Sequence, residues 1–393
     1  MKKSHLKYLL LFVLLLAGCR DEELIYYPMT DDTGDVPVDD GGDLSYLGMY
    51  VLNEGNMGSN KATLDFLDLN TGEYHRNIYP SRNPSVTMNL GDVGNDIGIY
   101  GHRLWMVINC SNKVEVADAF TAVSIGHVDI PNCRYMAFAD GYAYVSSYVG
   151  AVNGKSVLGS VYKVDTTSLQ VVGTVSVGYQ PDELAVVNGK LYVANSGGYN
   201  ATEGMGYDNR VSVVDLTTFT VERHIDVAPN LFRIRADHYG RLWVASRGDY
   251  EDNPSRLYLL EPDVNGDMLV THEIDTPVAD MDICGDSLYF YGSETVAGKK
   301  QNNYGIIHLK TLEVLTKNHI TLPEGRRIRT PYGIKVHPKT HDLYIMDATN
   351  YVSSGLLFCF DKDGNYKWDT ATGDIPGHAT FLTLKIENYE VTE

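Results

Sequence analysis

The side chains best suited to act on another molecule in this sequence are its tyrosines, 28 among 393 residues. They recur with asparagine and glycine in polar segments that follow short apolar runs. These segments are 53–57 with Asn53, Asn56 and Met57; 109–112 with Asn109; 146–159 with Tyr148; 195–209 with Asn195, Tyr199 and Tyr207; 246–253 with Arg247 and Tyr250; 292–304; and 347–354 with Tyr351. A second set of shorter connections carries Asn89, Asn95, Arg134, Asp182, Phe232 and Tyr332. A phenol ring offers broad apolar contact with a polar tip at low entropic cost, and carboxamides add adaptable hydrogen bonds. Such a set reads as a surface for recognition by contact.

The usual motifs of covalent and metal chemistry are missing from the sequence. It contains no Gly-x-Ser-x-Gly elbow, no His-Glu-x-x-His and no Cys-x-x-Cys pair. The twelve histidines are scattered, and His75, His224, His272, His308 and His319 fall on outer strands or turns, where solvated surface is the expected role. Residues 361–365, Asp-Lys-Asp-Gly-Asn, open like a calcium loop but lack the distal glutamate at the required spacing. They fall where a hairpin should turn, as do residues 263–267. No catalytic residue and no metal ligand is assigned.

The elements that must carry the tyrosine-rich segments repeat along the chain. A short apolar strand built on one aromatic residue returns at Tyr50, Trp105, Tyr144, Tyr192, Trp243, Tyr289 and Tyr344, with separations of 55, 39, 48, 51, 46 and 55 residues. A period of roughly 40 to 50 residues with several strands per unit is the signature of a β-propeller blade. Within a unit, Asn188-Gly189 joins two apolar runs, a hairpin signal because the tight turn needs positive φ. Equivalent turns are Tyr100-Gly101, Asp140-Gly141, Tyr239-Gly240 and Gly285-Asp286. The expected fold is therefore all-β, a seven-bladed propeller. Its first repeat has only three strands, within residues 47–78, and 378–384 is a leftover strand with no local partner. Donating that strand to the first blade closes the ring and removes two open sheet edges. Propeller topology then puts the segments after each second strand, and those between blades, on one face. A rigid scaffold presenting long loops on one side is where binding usually lives.

The N-terminus indicates destination. Lys2, Lys3 and Lys7 precede an apolar run, residues 9–16, that is too short to span a bilayer and ends in Leu16-Ala17-Gly18-Cys19. This reads as a lipoprotein signal, residues 1–19, with Cys19 as the lipidated residue. The following Arg20-Asp21-Glu22-Glu23 resembles the acidic tag that carries lipoproteins of gram-negative gut commensals to the outer face of the outer membrane; the inner leaflet is the alternative. Residues 20–45 are expected to be a flexible acidic tether, since 20–43 hold nine acids and one base with few large apolar side chains. Residues 46–393 form the propeller. The chain's formal charge is −19; with the leader and residues 20–43 set aside, −14 remains on the ring. No basic stripe for nucleic acid is visible. Of the other cysteines, Cys110 and Cys133 should lie at one rim, where they could form a disulfide, while Cys284 and Cys359 read as small core residues.

Val211-Ser212-Val213-Val214-Asp215-Leu216-Thr217-Thr218, followed by Val227, Asn230 and Leu242-Trp243-Val244-Ala245, resembles the YncE-like propeller repeat. With the lipobox, acidic tag, acidic tether and tyrosine-rich face, the chain resembles the BtuG group of surface lipoproteins. That resemblance implies a seven-bladed propeller that captures cobalamin or a related corrinoid as ligand, with no catalytic cofactor, and passes it to a TonB-dependent transporter of the BtuB type. It supplies no site residues, so the ligand-binding candidates remain those of the loops. A broad shallow site would suit a wide macrocycle fringed with amides, and His378 and His127 are the histidines that could approach it. Two other classes remain open. One is a surface propeller that binds glycan or protein. The other is a metal-dependent propeller enzyme of the lactonase or quinoprotein type, for which the inward positions Asn95, Arg134, Asp182, Phe232, Ala279 and Tyr332 are too mixed to make a ligand cage.

Overall fold

Each of the seven repeat-marking aromatics occupies the second strand of an antiparallel unit, five-stranded in the first blade and four-stranded in the others, and is almost completely buried, from 0 % exposed for Trp105, Trp243 and Tyr344 to 5 % for Tyr289. The computed structural model describes residues 29–36, 44–86, 89–150, 155–296 and 298–385. Seven sheets are arranged as a propeller. The inner strands are Pro376–Lys385, Gly94–Tyr100, Cys133–Ala139, Pro181–Val187, Leu231–Ala236, Asp280–Cys284 and Pro331–Val336, in blades one to seven. Among the described residues the only helices are two five-residue turns, Ile78–Arg82 and Gly198–Thr202. The hairpin turns take the backbone their residues allow: Asn188 and Gly189 have φ of 49° and 73°, Asp140 and Gly141 50° and 82°.

Packing explains why the aromatic recurs. Seven apolar clusters each lie between two neighbouring blades, and each takes one of these rings from its second strand: Tyr50 between blades one and two, Trp105 between two and three, and so on to Tyr344 between seven and one. A single blade cannot bury its own face, so the ring is held by these seven interfaces. Burying one such side chain contributes about 2–3 kcal/mol.

The ring closes as expected. Pro376–Lys385 pairs antiparallel with Leu44–Asn53, placing Phe381 opposite Met49 and Ala379 opposite Val51. The N-terminal segment differs in part from expectation. Met29–Asp32, within the stretch read as a flexible tether, is a fifth, outermost strand of blade one, paired with Glu73–Arg76. Asp31 lies 3.6 Å from Arg76 of the same blade and accepts across the closing seam from Thr370 at 3.2 Å, while Asp35, just past the strand, accepts from Trp368 Nε1 at 3.1 Å and lies 2.7 Å from Lys367. Acidic composition signals a solvated segment, but here the acids are the latching groups. Residues 1–28, with Cys19, and residues 37–43 and 386–393 lie outside the described residues.

The cysteines also differ. Cys110 and Cys133 are free thiols. The Cys133 Sγ–H turns inward and donates to Lys113 O at 3.4 Å, and burial pushes its pKa up to about 12, whereas Cys110 sits on the exposed rim against Asn109 Oδ1. Cys284 and Cys359 are buried core residues, as expected. Residues 361–365 and 263–267 are hairpin turns in which Asp361 and Asp263 accept from the backbone N–H groups two and four residues on, so their carboxylates are used by the turns.

His337 lies at the seam between blades seven and one, 2 % exposed, with its ring against Tyr46 and Phe381 and its Nδ1 accepting from Lys339 N and Thr340 N. Burial, aided by Lys339 and Lys367, lowers its pKa to about 4. An unfolded histidine titrates near ~6.5, so below that pH the unfolded chain binds a proton that the fold rejects, and stability falls as pH drops from 6.5 towards 4. His337→Asn keeps the acceptor and should flatten the fall in that window by about 2 kcal/mol, measured by urea denaturation at several pH values. Truncation before Pro376 should abolish cooperative thermal unfolding, followed by circular dichroism, because blade one then exposes an unpaired inner edge.

Candidate functional site

The inner strands begin at the loop-bearing face, and those of five blades bring their first residues to a common recess at the ring axis. There they wall a well of about 890 Å³. Inner-strand starts or the turns before them contribute Asn95, Arg134, Tyr135, Phe232, Arg233, Ala279 and Tyr332; the connections after second strands contribute Glu54, Arg247, Tyr250 and Tyr351, and the third strand of blade six, Lys299–His308, contributes Lys300 and Asn302. A smaller cavity of about 310 Å³ lies towards the opposite face, lined by Asp96, Glu183, Arg235, Asp280, Asp282, Lys335 and His378 among others.

A buried ionic network stands between the two cavities. Arg233 lies 2.8 Å from Glu183 and 3.1 Å from Asp280, and Arg235 pairs with the same two carboxylates. Glu183 also accepts from Ile234 N at 3.0 Å. Arg233 donates to the Tyr135 hydroxyl at 2.8 Å, joining blade five to blade three, and the Tyr135 ring meets His378 of blade one, 6.0 Å between centroids. Contacts between non-neighbouring blades can form only across the axis. Burial alone would raise the Glu183 pKa, but Arg235, Arg233 and the Ile234 N–H outweigh it and hold the carboxyl below its ordinary range; burial raises Tyr135, so it stays a neutral phenol.

The side of the well is supported by a second cluster. Asp182, 1 % exposed, accepts from the Tyr148 hydroxyl at 2.6 Å and lies 3.5 Å from both Arg134 and Arg247. Arg134 stacks over Tyr148 at 4.8 Å, and Arg247 over Phe232 at 3.8 Å. Asn95 Nδ2 donates to Arg134 O at 2.7 Å, fixing the backbone of that position. Opposite, the Tyr332 hydroxyl donates to Glu54 at 2.9 Å and its ring meets Tyr351 edge-on at 5.7 Å. Burial and Asp182 raise the Tyr148 pKa, and burial and Glu54 raise that of Tyr332, so both remain donors at neutral pH.

Of the residues singled out from sequence, Asn95, Arg134, Phe232, Arg247, Tyr250, Tyr332 and Tyr351 line the well, and Asp182 and Tyr148 brace it. Asn53, Asn109 and Asn195 do not face it: all three are buried and spend their amides on the fold, Asn53 on Thr63, Asn109 on Asn132 and Cys133, and Asn195 on Arg210 and Ser212. They end second strands, where a side-chain amide ties down the loop that follows. Asn56, Met57 and Asn89 are also outside the lining; Met57 is 81 % exposed. Tyr199, on the Gly198–Thr202 turn, packs edge-on to Tyr148 at 5.7 Å instead of entering the well. His127 is on the outermost strand of blade two, Ser124–Asp129, away from the axis, whereas His378 lies near Glu54. Glu54, Tyr135, Arg233, Tyr291, Lys300, Asn302 and Arg329 were not among the sequence candidates. Leu231-Phe232-Arg233-Ile234-Arg235 carried the signal for the network: charges inside a strand buried on both faces need partners.

Of the carboxylates at the axis, Glu183 and Asp280 are paired with arginines, Asp282 with Lys335, and Asp96 accepts from Met136 N. Among the described residues the one group with metal-ligand spacing is Asp35, Asp342 and Cys359 near the seam, and there the Lys367 ammonium lies 2.7 and 2.9 Å from the two carboxylates. Removing one member of a buried ionic set leaves the others uncompensated, so Glu183→Gln should destabilise the protein by about 3–5 kcal/mol, read by chemical denaturation. Tyr199→Ala, at an exposed ring, should stay within about 0.5 kcal/mol of the parent in the same assay.

Solved structures share this architecture at low identity. A quinonprotein alcohol dehydrogenase-like protein from Bacteroides thetaiotaomicron is 12 % identical with a TM-score of 0.59, covering 86 % of this chain and 78 % of that one. Hydrazine synthase from Kuenenia stuttgartiensis is 18 % identical with a TM-score of 0.57, covering 69 % and 77 %. At these identities the likeness concerns the fold. No curated protein matches the chain. Residues 47–372, which span the ring from the first blade to the last strand of the seventh, match the family described as Domain of unknown function (DUF5074), and the chain belongs to that family.

Proposed function

We propose that this propeller captures a corrinoid, cobalamin or a close relative, in the well at its loop-bearing face and hands it to a TonB-dependent outer-membrane transporter of the BtuB type, while a lipid on Cys19 holds it at the cell surface. The observation that carries the reading is the composition and shape of the well. It is about 890 Å³, has the ionic network beneath it, and is walled by the rings of Tyr135, Phe232, Tyr250, Tyr291, Tyr332 and Tyr351 with Asn95, Asn302, Ser255 and Thr330 between them. A flat macrocycle fringed with carboxamides needs apolar faces for its edges and hydrogen-bond partners for its amides, in a site open enough to admit it. Arginines stacked on Tyr148 and Phe232 hold part of that wall rigid, which lowers the ordering cost of binding. Capture of this kind makes and breaks no covalent bond.

Calorimetry of the protein lacking residues 1–19 with cyanocobalamin should give one site per chain. Tyr332→Ala and Tyr351→Ala should each weaken it at least tenfold, about 1.4 kcal/mol or more. No heat at micromolar protein contradicts the reading. Retention on a glycan array in its place would move the same face to the carbohydrate-binding class.

A further inference from the structure

The charge of the well runs against that of the molecule. The chain carries a formal −19, yet the lining of the loop-face well holds Arg134, Arg233, Arg247, Lys300 and Arg329 against one carboxylate, Glu54, with Asp182, Glu183, Asp280 and Asp347 behind it. Arg233 and Arg235 are matched by Glu183 and Asp280. Arg134 and Arg247 share one carboxylate, Asp182, at 3.5 Å each, and the buried Arg134 Nε makes no hydrogen bond. Glu54, the one carboxylate in the lining, is engaged by Tyr332 and lies 3.7 Å from His378. The Arg329 guanidinium and Lys300 ammonium, both exposed on the wall, have no carboxylate partner among the described residues. The surplus is thus cationic and is built from side chains with free donors.

We infer that this well is selective for a ligand bearing a phosphate ester, whose anionic oxygens Arg329 and Lys300 receive at the rim, with Arg134 and Arg247 supplying the positive field behind them. Guanidinium and ammonium donors bind phosphate oxygens through charge-assisted hydrogen bonds, and a recess with low-dielectric walls concentrates the field of the surplus cations even on an acidic protein. For a corrinoid, the group concerned is the phosphodiester of the nucleotide loop, and in that form the inference rests on the function proposed above. The preference for an anionic group follows from the charges alone, and the guanidinium and ammonium donors suit it to the oxygens of a phosphate ester.

The test titrates the protein lacking residues 1–19, and its Arg329→Gln/Lys300→Gln double variant, with cyanocobalamin, with dicyanocobinamide, which lacks the nucleotide loop and its phosphate, and with inorganic pyrophosphate. The parent should bind cyanocobalamin at least tenfold more tightly than dicyanocobinamide. The double variant should lose most of that preference while binding dicyanocobinamide as the parent does, and raising salt from 50 to 500 mM should erode the preference in the parent only. Equal binding of the two corrinoids by the parent, unchanged in the variant, overturns the inference and leaves corrinoid capture standing. If neither corrinoid binds, the proposed function fails and the pyrophosphate arm decides. A rise in melting temperature at millimolar pyrophosphate that the double variant lacks supports the inference, and no difference between the two proteins overturns it. Arg329 and Lys300 are exposed and unpaired, so the variant should fold as the parent does, checked by its melting temperature without ligand.

Discussion

Everything at the loop-bearing face depends on one pairing, Pro376–Lys385 against Leu44–Asn53, which joins the two ends of the chain within a single blade. Each blade has an apolar face it cannot cover alone, and the seven interfaces share that burden only if the last blade meets the first. The cluster between blades seven and one, with Tyr344, Trp368, Met49 and Phe381, exists because the inner strand of blade one comes from the C-terminus. The outermost strand, Met29–Asp32, and the residues just after it reinforce the same seam from outside, with Asp31 set on Arg76 and Thr370 and Asp35 on Lys367 and Trp368. Velcro of this kind places both termini's contributions in one sheet, so opening the ring requires breaking that sheet.

Closure then forces the inner-strand residues together at the axis. There Arg233, Arg235, Glu183, Asp280 and Tyr135 form a charge-balanced, hydrogen-bonded set contributed by blades three, four, five and six. Burying so many charges costs desolvation energy that only good geometry offsets. What the network supplies is a tie across the axis: it links the inner strands of four blades beneath the well and holds Tyr135 and Arg233 of its lining in fixed directions. The stacked pairs Arg134–Tyr148 and Arg247–Phe232 do the same for the wall. The recess is thereby preorganised, with Tyr135 and Phe232 held near the axis while Tyr250 and Tyr351 reach it from the loops.

The fold was legible because its signals are local. Trp105, Trp243 and the five tyrosines at their positions announce the blade period, Asn188-Gly189 and Asp140-Gly141 announce hairpins, and an unpaired strand at the C-terminus announces closure. The site was half legible for the opposite reason. Sequence can place Tyr332 or Arg134 at the start of an inner strand, but whether a loop residue turns to the axis or back into the sheet is decided by contacts far along the chain. Asn53, Asn109 and Asn195 look like recognition residues and prove to be ties for their own loops. Arg233 reaches Tyr135, 98 residues away, and no local pattern reports that distance. The acids at 31 and 35 misled in the same manner, since their partners Lys367, Trp368 and Thr370 lie more than three hundred residues downstream.

The most direct test of capture at the loop-bearing face is the visible absorption spectrum of the protein isolated from the cells that make it, recorded after gel filtration. A tightly held corrinoid predicts a pink protein with its characteristic visible bands at close to one equivalent per chain, lost on denaturation. A colourless protein that also sheds added cyanocobalamin on the same column would contradict it.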